Sequence, residues 1–278
     1  MYQQQMQSYD PLNNTPYQPM PTFKKEKKPY LFETFPLHLR LIGLFVIFPL
    51  YLYFLPNVLL IPVAKGVYRF FNWPSSEAFQ IFFNILYQIC TLIPLIILLH
   101  NVLLQSVHDL KKRGIGNFLA WLLLGYFAFF ATTIVFGLIE NLLVGSSITS
   151  QNQAGINDMV SGGALALVFA SVFLAPVTEE LLFRGILFRL IRPAGRIPAI
   201  LASGFLFGFI HVSDYVFAGD FHELLYMISY VGMGLALSTI YELRRNLLTT
   251  ICIHMLQNTL AITMSILLYG QVWVPFIH

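Results

Sequence analysis

The chain has 278 residues, of which 57% are hydrophobic and only 10% are charged. Soluble globular domains carry about 25% charged residues, so this composition excludes an ordinary water-soluble protein and predicts a polytopic membrane protein. The formal net charge of +3 does not indicate a nucleic-acid partner, because the basic residues fall in short segments between apolar runs. The two cysteines, Cys90 and Cys252, lie inside apolar runs and argue against a disulfide framework or a thiolate metal site.

The first 35 residues differ in composition from the rest of the chain. Residues 1–35 are rich in Gln, Asn, Pro and Tyr, and they carry the basic run Lys24-Lys-Glu-Lys-Lys28. A polar segment of this kind cannot bury enough apolar surface to fold, so it predicts a disordered cytosolic tail. Residues 36–278 are predicted to form one transmembrane helical domain in contact with the lipid bilayer.

Seven apolar runs follow the tail, and most reach the approximately 20 residues that a helix needs to cross a bilayer. They predict an all-α, polytopic transmembrane helical bundle of seven spans, with an eighth if residues 65–78 lie in the membrane interface. The fifth run is short for a span, and the spacing of its Gly204 and Gly208 predicts close helix packing. The runs cover residues 39–64, 79–104, 117–143, 163–191, 197–213, 223–241 and 247–268.

The distribution of Lys and Arg predicts the orientation of the bundle. With the N-terminus in the cytosol, most of the 16 basic residues fall on the cytosolic side, including those at 111–113 and 244–245. The predicted outer loops, 144–162 and 214–222, contain no Lys or Arg. This arrangement satisfies the positive-inside rule and predicts an integral, multi-pass protein with a cytosolic N-terminus.

Two adjacent glutamates and an arginine interrupt the apolar run at 163–191. A charge in hydrocarbon costs several kcal/mol unless it is paired or faces a wet cavity, so these charges predict a functional site. Glu180 and Arg184 are four residues apart on one helix face and can form an ion pair. Glu179 is turned about 100° away and needs a different partner. The alternative is an ion pair that only fixes helix packing.

Three further polar side chains lie in predicted spans. His211 is near the end of the fifth run, and His254 and Asn258 are four residues apart on one face of the seventh. Counted from the nearest basic residues at about 1.5 Å per residue, Glu179 and the two histidines lie at intermediate depths, so we expect them to converge near the middle of the bilayer. Taken singly, each histidine or the asparagine could instead only bond a neighbouring helix.

Together these side chains form a set that is suited to hydrolysis. A carboxylate can take a proton from water, a histidine can position that water or bind a metal, and an amide can donate to an oxyanion. No Ser or Cys is flanked by a base, and no His-Glu-x-x-His zinc motif is present. Two alternatives stay open: a proton-coupled transporter that relays protons through these groups, and a non-catalytic membrane immunity or scaffold protein.

The polar residues fall into three short segments that occur in order on separate predicted spans. They resemble the three motifs of the CPBP (CAAX protease and bacteriocin-processing, also called Abi) family of intramembrane proteases. The resemblance covers a motif-bearing core, residues 163–262. The segments are Glu179-Glu180-x-x-x-Arg184, Phe207-x-x-x-His211 and His254-x-x-x-Asn258.

The resemblance implies an intramembrane endopeptidase that cleaves a peptide or membrane-protein substrate near or within the membrane. It implies that Glu179 is the general base that activates water and that His211 helps to hold this water. By the same resemblance, His254 and Asn258 polarise the scissile carbonyl or support the oxyanion. Glu180 and Arg184 then brace the site, which brings the implied site residues to six.

The resemblance also bears on cofactors and on biological role. The family has been interpreted both with and without a metal. Because Asn is a poor zinc ligand and only His211 and His254 are available, we favour glutamate-activated water without a cofactor, with zinc as the alternative. The eukaryotic branch trims prenylated CAAX tails, whereas bacterial relatives are linked to peptide maturation and bacteriocin self-immunity. Short loops and compact size favour a bacterial cell membrane and one of these bacterial roles.

Overall fold

The structure is a computed structural model that describes residues 9–10, 15–16, 35–49, 58–70, 76–145, 150–161 and 165–269. Within these ranges nearly all residues are helical, which confirms the predicted all-α bundle. Two strands of two residues each, β1 (Tyr9–Asp10) and β2 (Thr15–Pro16), pair antiparallel. Apart from these strands and Phe35, the tail predicted over residues 1–35 lies outside the described residues, so its disorder stays a prediction.

The described part of the chain contains twelve α-helices. In chain order they are α1 (Leu37–Ile42), α2 (Ile61–Phe70), α3 (Ser76–Arg113), α4 (Ile115–Val144), α5 (Gln151–Ser161), α6 (Leu165–Phe169), α7 (Ala175–Glu180), α8 (Phe188–Ile191), α9 (Arg196–Ile210), α10 (Ser213–Phe217), α11 (Glu223–Arg244) and α12 (Leu247–Tyr269). We call residues 165–194, which run from α6 through α8 to a terminal 3-10 turn at Arg192–Ala194, the motif helix.

Five helices in the described part of the chain are long and apolar enough to cross a membrane. They agree with the predicted runs two, three, four, six and seven. The fifth run forms the shorter apolar helix Arg196–Ile210. The structure describes only parts of the first run, because residues 50–57 lie outside the described residues. Helix α2 extends to Phe70, into the segment predicted at the interface. The total of seven or eight spans therefore stays a prediction.

The motif helix is not a continuous α-helix. Two wider π-helical stretches, Ala170–Leu174 and Leu181–Leu187, flank α7. Pro176 lies at the start of α7, where it cannot donate to the carbonyl of Val172 and where its ring would collide with that carbonyl in a regular α-helix. Widening of the preceding turn removes this conflict and changes the direction in which the following side chains point. The two glutamates of the first motif end α7, between the two wide stretches.

Helices α9 and α11 cross with their backbones in contact. A Cβ placed on Gly204 would lie 2.9 Å from the backbone nitrogen of Leu235, and one on Gly208 would lie 2.8 Å from that of Val231. On the opposite helix, a Cβ on Gly234 would lie 2.6 Å from the carbonyl oxygen of Gly204. Only glycine fits at these positions, which confirms the close packing predicted from the glycine spacing.

Ion pairs join three helices at one end of the bundle. Arg192, at the end of the motif helix, donates two hydrogen bonds to the carboxylate of Glu242 at 2.9 and 2.8 Å. Arg244 lies 2.8 Å from Asp109 of α3, and the amide of Asn246 donates to the same carboxylate. We call this the basic end of the bundle; it holds the C-terminal ends of α3, the motif helix and α11 in register.

The crossing of α9 and α11 generates a stability prediction. Gly204→Ala should lower the apparent melting temperature in detergent, because backbone atoms, unlike a flexible side chain, cannot move out of the way of the new methyl group. Overpacking of this kind typically costs about 1–3 kcal/mol. Gly116→Ala is the matched control, since a Cβ on Gly116 of α4 meets nothing within 4 Å. Equal melting temperatures for the two variants would contradict the crossing.

Candidate active site

Glu180 and Arg184 form an ion pair in the interior of the bundle. Nη1 of Arg184 donates to Oε1 of Glu180 at 2.8 Å, and both side chains are 0% exposed. Nη2 of Arg184 donates to the carbonyl oxygen of Gly234 on α11 at 2.9 Å. The guanidinium carbon lies 4.8 Å from the centre of the Phe207 ring on α9. The ion pair predicted from the four-residue spacing is confirmed, and it connects the motif helix to α9 and α11.

His254 is held by the same carboxylate. Its Nδ1 lies 3.1 Å from Oε1 of Glu180, and because a carboxylate only accepts hydrogen bonds, Nδ1 is the donor. A neutral His254 therefore has its lone pair on Nε2. The Glu180 carboxylate thus fixes both the tautomer and the orientation of the imidazole, which is the arrangement expected of a bracing residue.

His211 follows the last residue of α9. Its Nδ1 donates to the carbonyl oxygen of Phe207 at 2.7 Å, so a neutral His211 also has its lone pair on Nε2. The Phe207 ring lies 4.8 Å from the His211 ring and 5.7 Å from the His254 ring, measured between centroids. Phe207 was singled out in the sequence only as part of a motif. In the structure, it is the buried surface against which both imidazoles and the Arg184 guanidinium pack.

Glu179 faces both imidazoles. Its Oε2 lies 3.9 Å from Nε2 of His211 and 3.8 Å from Nε2 of His254. These separations are too long for direct hydrogen bonds, which end near 3.2 Å. The Glu179 side chain is 21% exposed, whereas that of Glu180 is fully buried. The predicted convergence of Glu179, His211 and His254 is therefore confirmed by the distances, and the two adjacent glutamates occupy different environments.

The three facing atoms are all hydrogen-bond acceptors when the histidines are neutral. Such a set suits a water molecule, which can donate one proton to Glu179 and one to a histidine. Tetrahedral zinc, with bonds of about 2.0–2.1 Å, needs ligand atoms about 3.3 Å apart. The Oε2–Nε2 separations of 3.8 and 3.9 Å are wider than this. Among the described residues, no group of three or more His, Cys, Asp and Glu side chains is arranged to hold a metal.

Asn258 contacts the motif helix at a position closer to its N-terminal end than Glu179. Its Nδ2 donates to the carbonyl oxygen of Ser171 at 2.9 Å. Ser171 lies in the first π-helical stretch, about two turns before Glu179. This is the helix-to-helix hydrogen bond that the sequence left open as the alternative for Asn258. Its support of an oxyanion stays a prediction.

Two residues of α11 belong to the site but carry no motif. The Gly234 carbonyl accepts from Arg184, and the Tyr230 ring stacks on His211 with 4.5 Å between centroids and 15° between planes. They are four residues apart, so they share the helix face that crosses α9. The sequence shows a tyrosine one helical turn before a glycine within an apolar run. This pattern does not indicate which helix packs against the two residues.

An exposed ion pair elsewhere in the chain is a control for the cost of breaking the buried pair of Glu180 and Arg184. Arg184→Met should lower the free energy of unfolding by about 3–5 kcal/mol, because it leaves the Glu180 carboxylate buried without its cation. Arg113→Met breaks a pair of the same four-residue spacing with Asp109, but the Arg113 side chain is 56% exposed. It should cost at most about 1 kcal/mol. Denaturant unfolding in detergent measures both, and similar losses would contradict the burial of Glu180 and Arg184.

Comparison with known families agrees with this site. Residues 161–260 match the family model described as Type II CAAX prenyl endopeptidase Rce1-like. The matched range contains all six predicted site residues. No solved structure matches the chain at a significant level.

Three bacterial proteins are similar to the chain over about half to two thirds of its length. YdiL of Bacillus subtilis (strain 168), provisionally named a membrane peptidase, is 25% identical over 179 residues, which are 64% of this chain and 69% of YdiL. The membrane-embedded CAAX protease MroQ of Staphylococcus aureus (strain USA300) is 26% identical over 53% of this chain and 58% of MroQ. The UPF0177 protein YvdC of Lactococcus lactis is 23% identical over 53% of each chain.

The apolar helices of the bundle, together with the similarity to bacterial membrane peptidases, show an integral membrane protein. The three motifs lie on separate helices, and the family match covers the region that carries them. Through this region the chain is similar to the type II CAAX prenyl endopeptidases that the family model describes.

Proposed function

We propose that this protein hydrolyses a peptide bond near or within the membrane by means of a water molecule that Glu179 activates. The observation that carries the proposal is the convergence of Oε2 of Glu179 with Nε2 of His211 and Nε2 of His254 at 3.9 and 3.8 Å. The Glu179 side chain is partly exposed, but its Oε2 is buried and, among the described residues, has no hydrogen-bond partner. It is therefore available to take a proton.

The proton transfers follow from this placement. The water donates one hydrogen bond to Glu179 and a second to Nε2 of His211. An oxygen lone pair then points at the carbonyl carbon of the substrate. As Glu179 removes its proton, the oxygen attacks and a tetrahedral intermediate forms. Glu179, now a carboxylic acid, returns the proton to the amide nitrogen, the carbon–nitrogen bond breaks, and an acid and an amine leave.

The second histidine differs from the first in what holds its Nδ1. His211 donates to a neutral backbone carbonyl, whereas His254 donates to the Glu180 carboxylate. Donation from Nε2 to the developing oxyanion requires a proton on both ring nitrogens, and of the two histidines only His254 has a carboxylate at Nδ1 to face such a cation. Glu180, itself paired with Arg184, then acts through His254 and is a positioning residue.

The proposal extends to substrate and setting. A site enclosed by apolar helices favours a peptide or membrane-protein substrate that reaches it from the lipid phase or the interface. The similar proteins come from three bacteria, which supports a bacterial cell membrane. The role that we propose there is peptide maturation or bacteriocin self-immunity. Positive charge in the predicted inner loops supports a cytosolic N-terminus.

Replacement of the proposed base is the first test. Glu179→Gln should reduce the cleavage of a fluorogenic peptide library by detergent-purified protein at least 100-fold, because the amide cannot take a proton from water. His211→Ala should also lose most activity. Glu140→Gln is the control, since Glu140 lies in α4 and accepts a hydrogen bond from the Ser229 backbone, which Gln can also accept. Full activity of Glu179→Gln would show that another group is the base.

Metal removal is the second test. A glutamate mechanism without a metal predicts that dialysis against EDTA and 1,10-phenanthroline leaves the cleavage rate of the same peptides within about twofold of the untreated rate. A loss of activity that zinc restores would contradict the metal-free mechanism. It would instead assign a metal to the position between His211, His254 and Glu179.

A further inference from the structure

His211 is the less firmly held of the two imidazoles. It is the residue that caps the C-terminal end of α9, just before α10 begins at Ser213. Its Nδ1 is bonded to a backbone carbonyl, whereas His254 is bonded to a buried carboxylate. A hydrogen bond to a neutral carbonyl is weaker than one to a carboxylate, so it restrains rotation of the His211 ring about Cβ–Cγ less strongly. The direction of Nε2, which faces Glu179, therefore depends on the groups that pack against the ring.

Tyr230 supplies a flat surface against that ring. The two planes are 15° from parallel and their centroids are 4.5 Å apart, whereas the Phe207 ring is tilted by 45°. Stacked aromatic pairs at this distance contribute about 0.5–1.5 kcal/mol beyond simple burial. A parallel neighbour restricts rotation of the imidazole out of its plane more directly than a tilted one. Tyr230 thus controls the orientation that the Nδ1 hydrogen bond leaves open.

The Tyr230 hydroxyl is itself anchored. It accepts a hydrogen bond from Nδ2 of Asn152 at 3.0 Å and lies 3.1 Å from Oγ of Ser150. The Ser150 oxygen also accepts from the backbone N–H of Gln153 at 3.2 Å, which places it at the N-terminal end of α5. The ring that faces His211 is therefore connected to a different segment of the chain.

Helix α5 is joined to its neighbours mainly by polar contacts. The backbone N–H of Gln151 donates to Glu223 of α11 at 3.1 Å, and Ser265 of α12 donates to Asn157 at 3.0 Å. Ile156 adds an apolar contact to the motif helix and α12. Such hydrogen bonds contribute about 0.5–1.5 kcal/mol each, because water can replace them. A shift of α5 is therefore possible without unfolding the bundle, and Tyr230 would transmit it to His211.

The geometry points to Tyr230 as a positioning residue for the hydrolytic site. Its ring holds the His211 imidazole so that Nε2 faces Glu179, and its hydroxyl couples that orientation to α5 through Asn152 and Ser150. The inference rests on the proposed hydrolysis for its kinetic consequence, but the stacking itself can be measured without any activity.

The kinetic test separates the ring from the hydroxyl. Tyr230→Leu should lower kcat about 10- to 100-fold with KM changed by less than about threefold, since a small displacement of a reacting group costs about this much. Tyr230→Phe should restore most of kcat, because it keeps the ring. Asn152→Ala should change kcat by no more than Tyr230→Phe does, because it removes one of the two partners of the hydroxyl, and it should add nothing further in the double variant.

A matched tyrosine distinguishes positioning from general stability. Tyr126 of α4 is partly buried, and its hydroxyl donates to Gln257 at 3.2 Å, with its ring stacked on Phe129 and Phe130. Tyr126→Leu removes a similar ring from the same bundle and should leave kcat within about threefold of the wild-type value. If Tyr126→Leu and Tyr230→Leu lower kcat equally, or if Tyr230→Leu retains wild-type kcat, the inference is wrong.

A spectroscopic test does not depend on catalysis. In protein labelled at histidine, the His211 ring proton resonance, identified by its loss in His211→Asn, should shift downfield in Tyr230→Leu, because the ring current of the stacked tyrosine is lost. It should keep its position in Tyr230→Phe. If the wild-type protein cleaves no peptide, the proposed function fails while this shift still supports the stacking. An unchanged His211 resonance in Tyr230→Leu overturns the inference whatever the activity.

Discussion

A charge pair with no exposure to water has to be compensated inside the protein, and the pair formed by Glu180 and Arg184 has this requirement within a membrane bundle. Arg184 reaches the Gly234 carbonyl on α11 and the Phe207 ring on α9, and Glu180 holds His254 on α12. One ion pair thus connects the four helices that carry the site. Glu179, His211 and His254 lie on the helices that these contacts hold together. The need to compensate the buried charges therefore also sets the geometry of the candidate active site.

The adjacent glutamates show how one helical turn can supply two different carboxylates. Glu180 points into the bundle, where its Oε1 accepts from both Arg184 and His254. Glu179 is rotated by about 100° and points at the gap between the two imidazoles, where it is partly exposed. A carboxylate that is neutralised by a guanidinium is a poor base, and an exposed one is a poor structural anchor. The neighbouring positions therefore cannot exchange roles.

Much of the architecture could be predicted because it depends on local periodicity. The long apolar runs predicted five of the helices, the four-residue spacing predicted the ion pair, and the glycine spacing predicted the crossing of α9 and α11. Depth alone predicted that Glu179 meets two histidines. The π-helical stretches, the partner of Asn258 and the stacking of Tyr230 were not predicted, because each depends on which distant helix lies opposite. The spacing of residues in one helix carries no information about that neighbour.

The length of α9 has a consequence for the surrounding lipid. Its 15 residues span about 22 Å, whereas the hydrocarbon core of a bilayer is about 30 Å thick. The helix ends at Ile210, and the polar side chains Ser213, Asp214, Asp220 and His222 follow within twelve residues. Local thinning of the bilayer is one way in which so short a helix is accommodated, and it would bring head groups and water closer to the end of α9. Hydrolysis in the hydrocarbon core of a bilayer needs water at the active site, and a membrane thinned beside His211 would supply it.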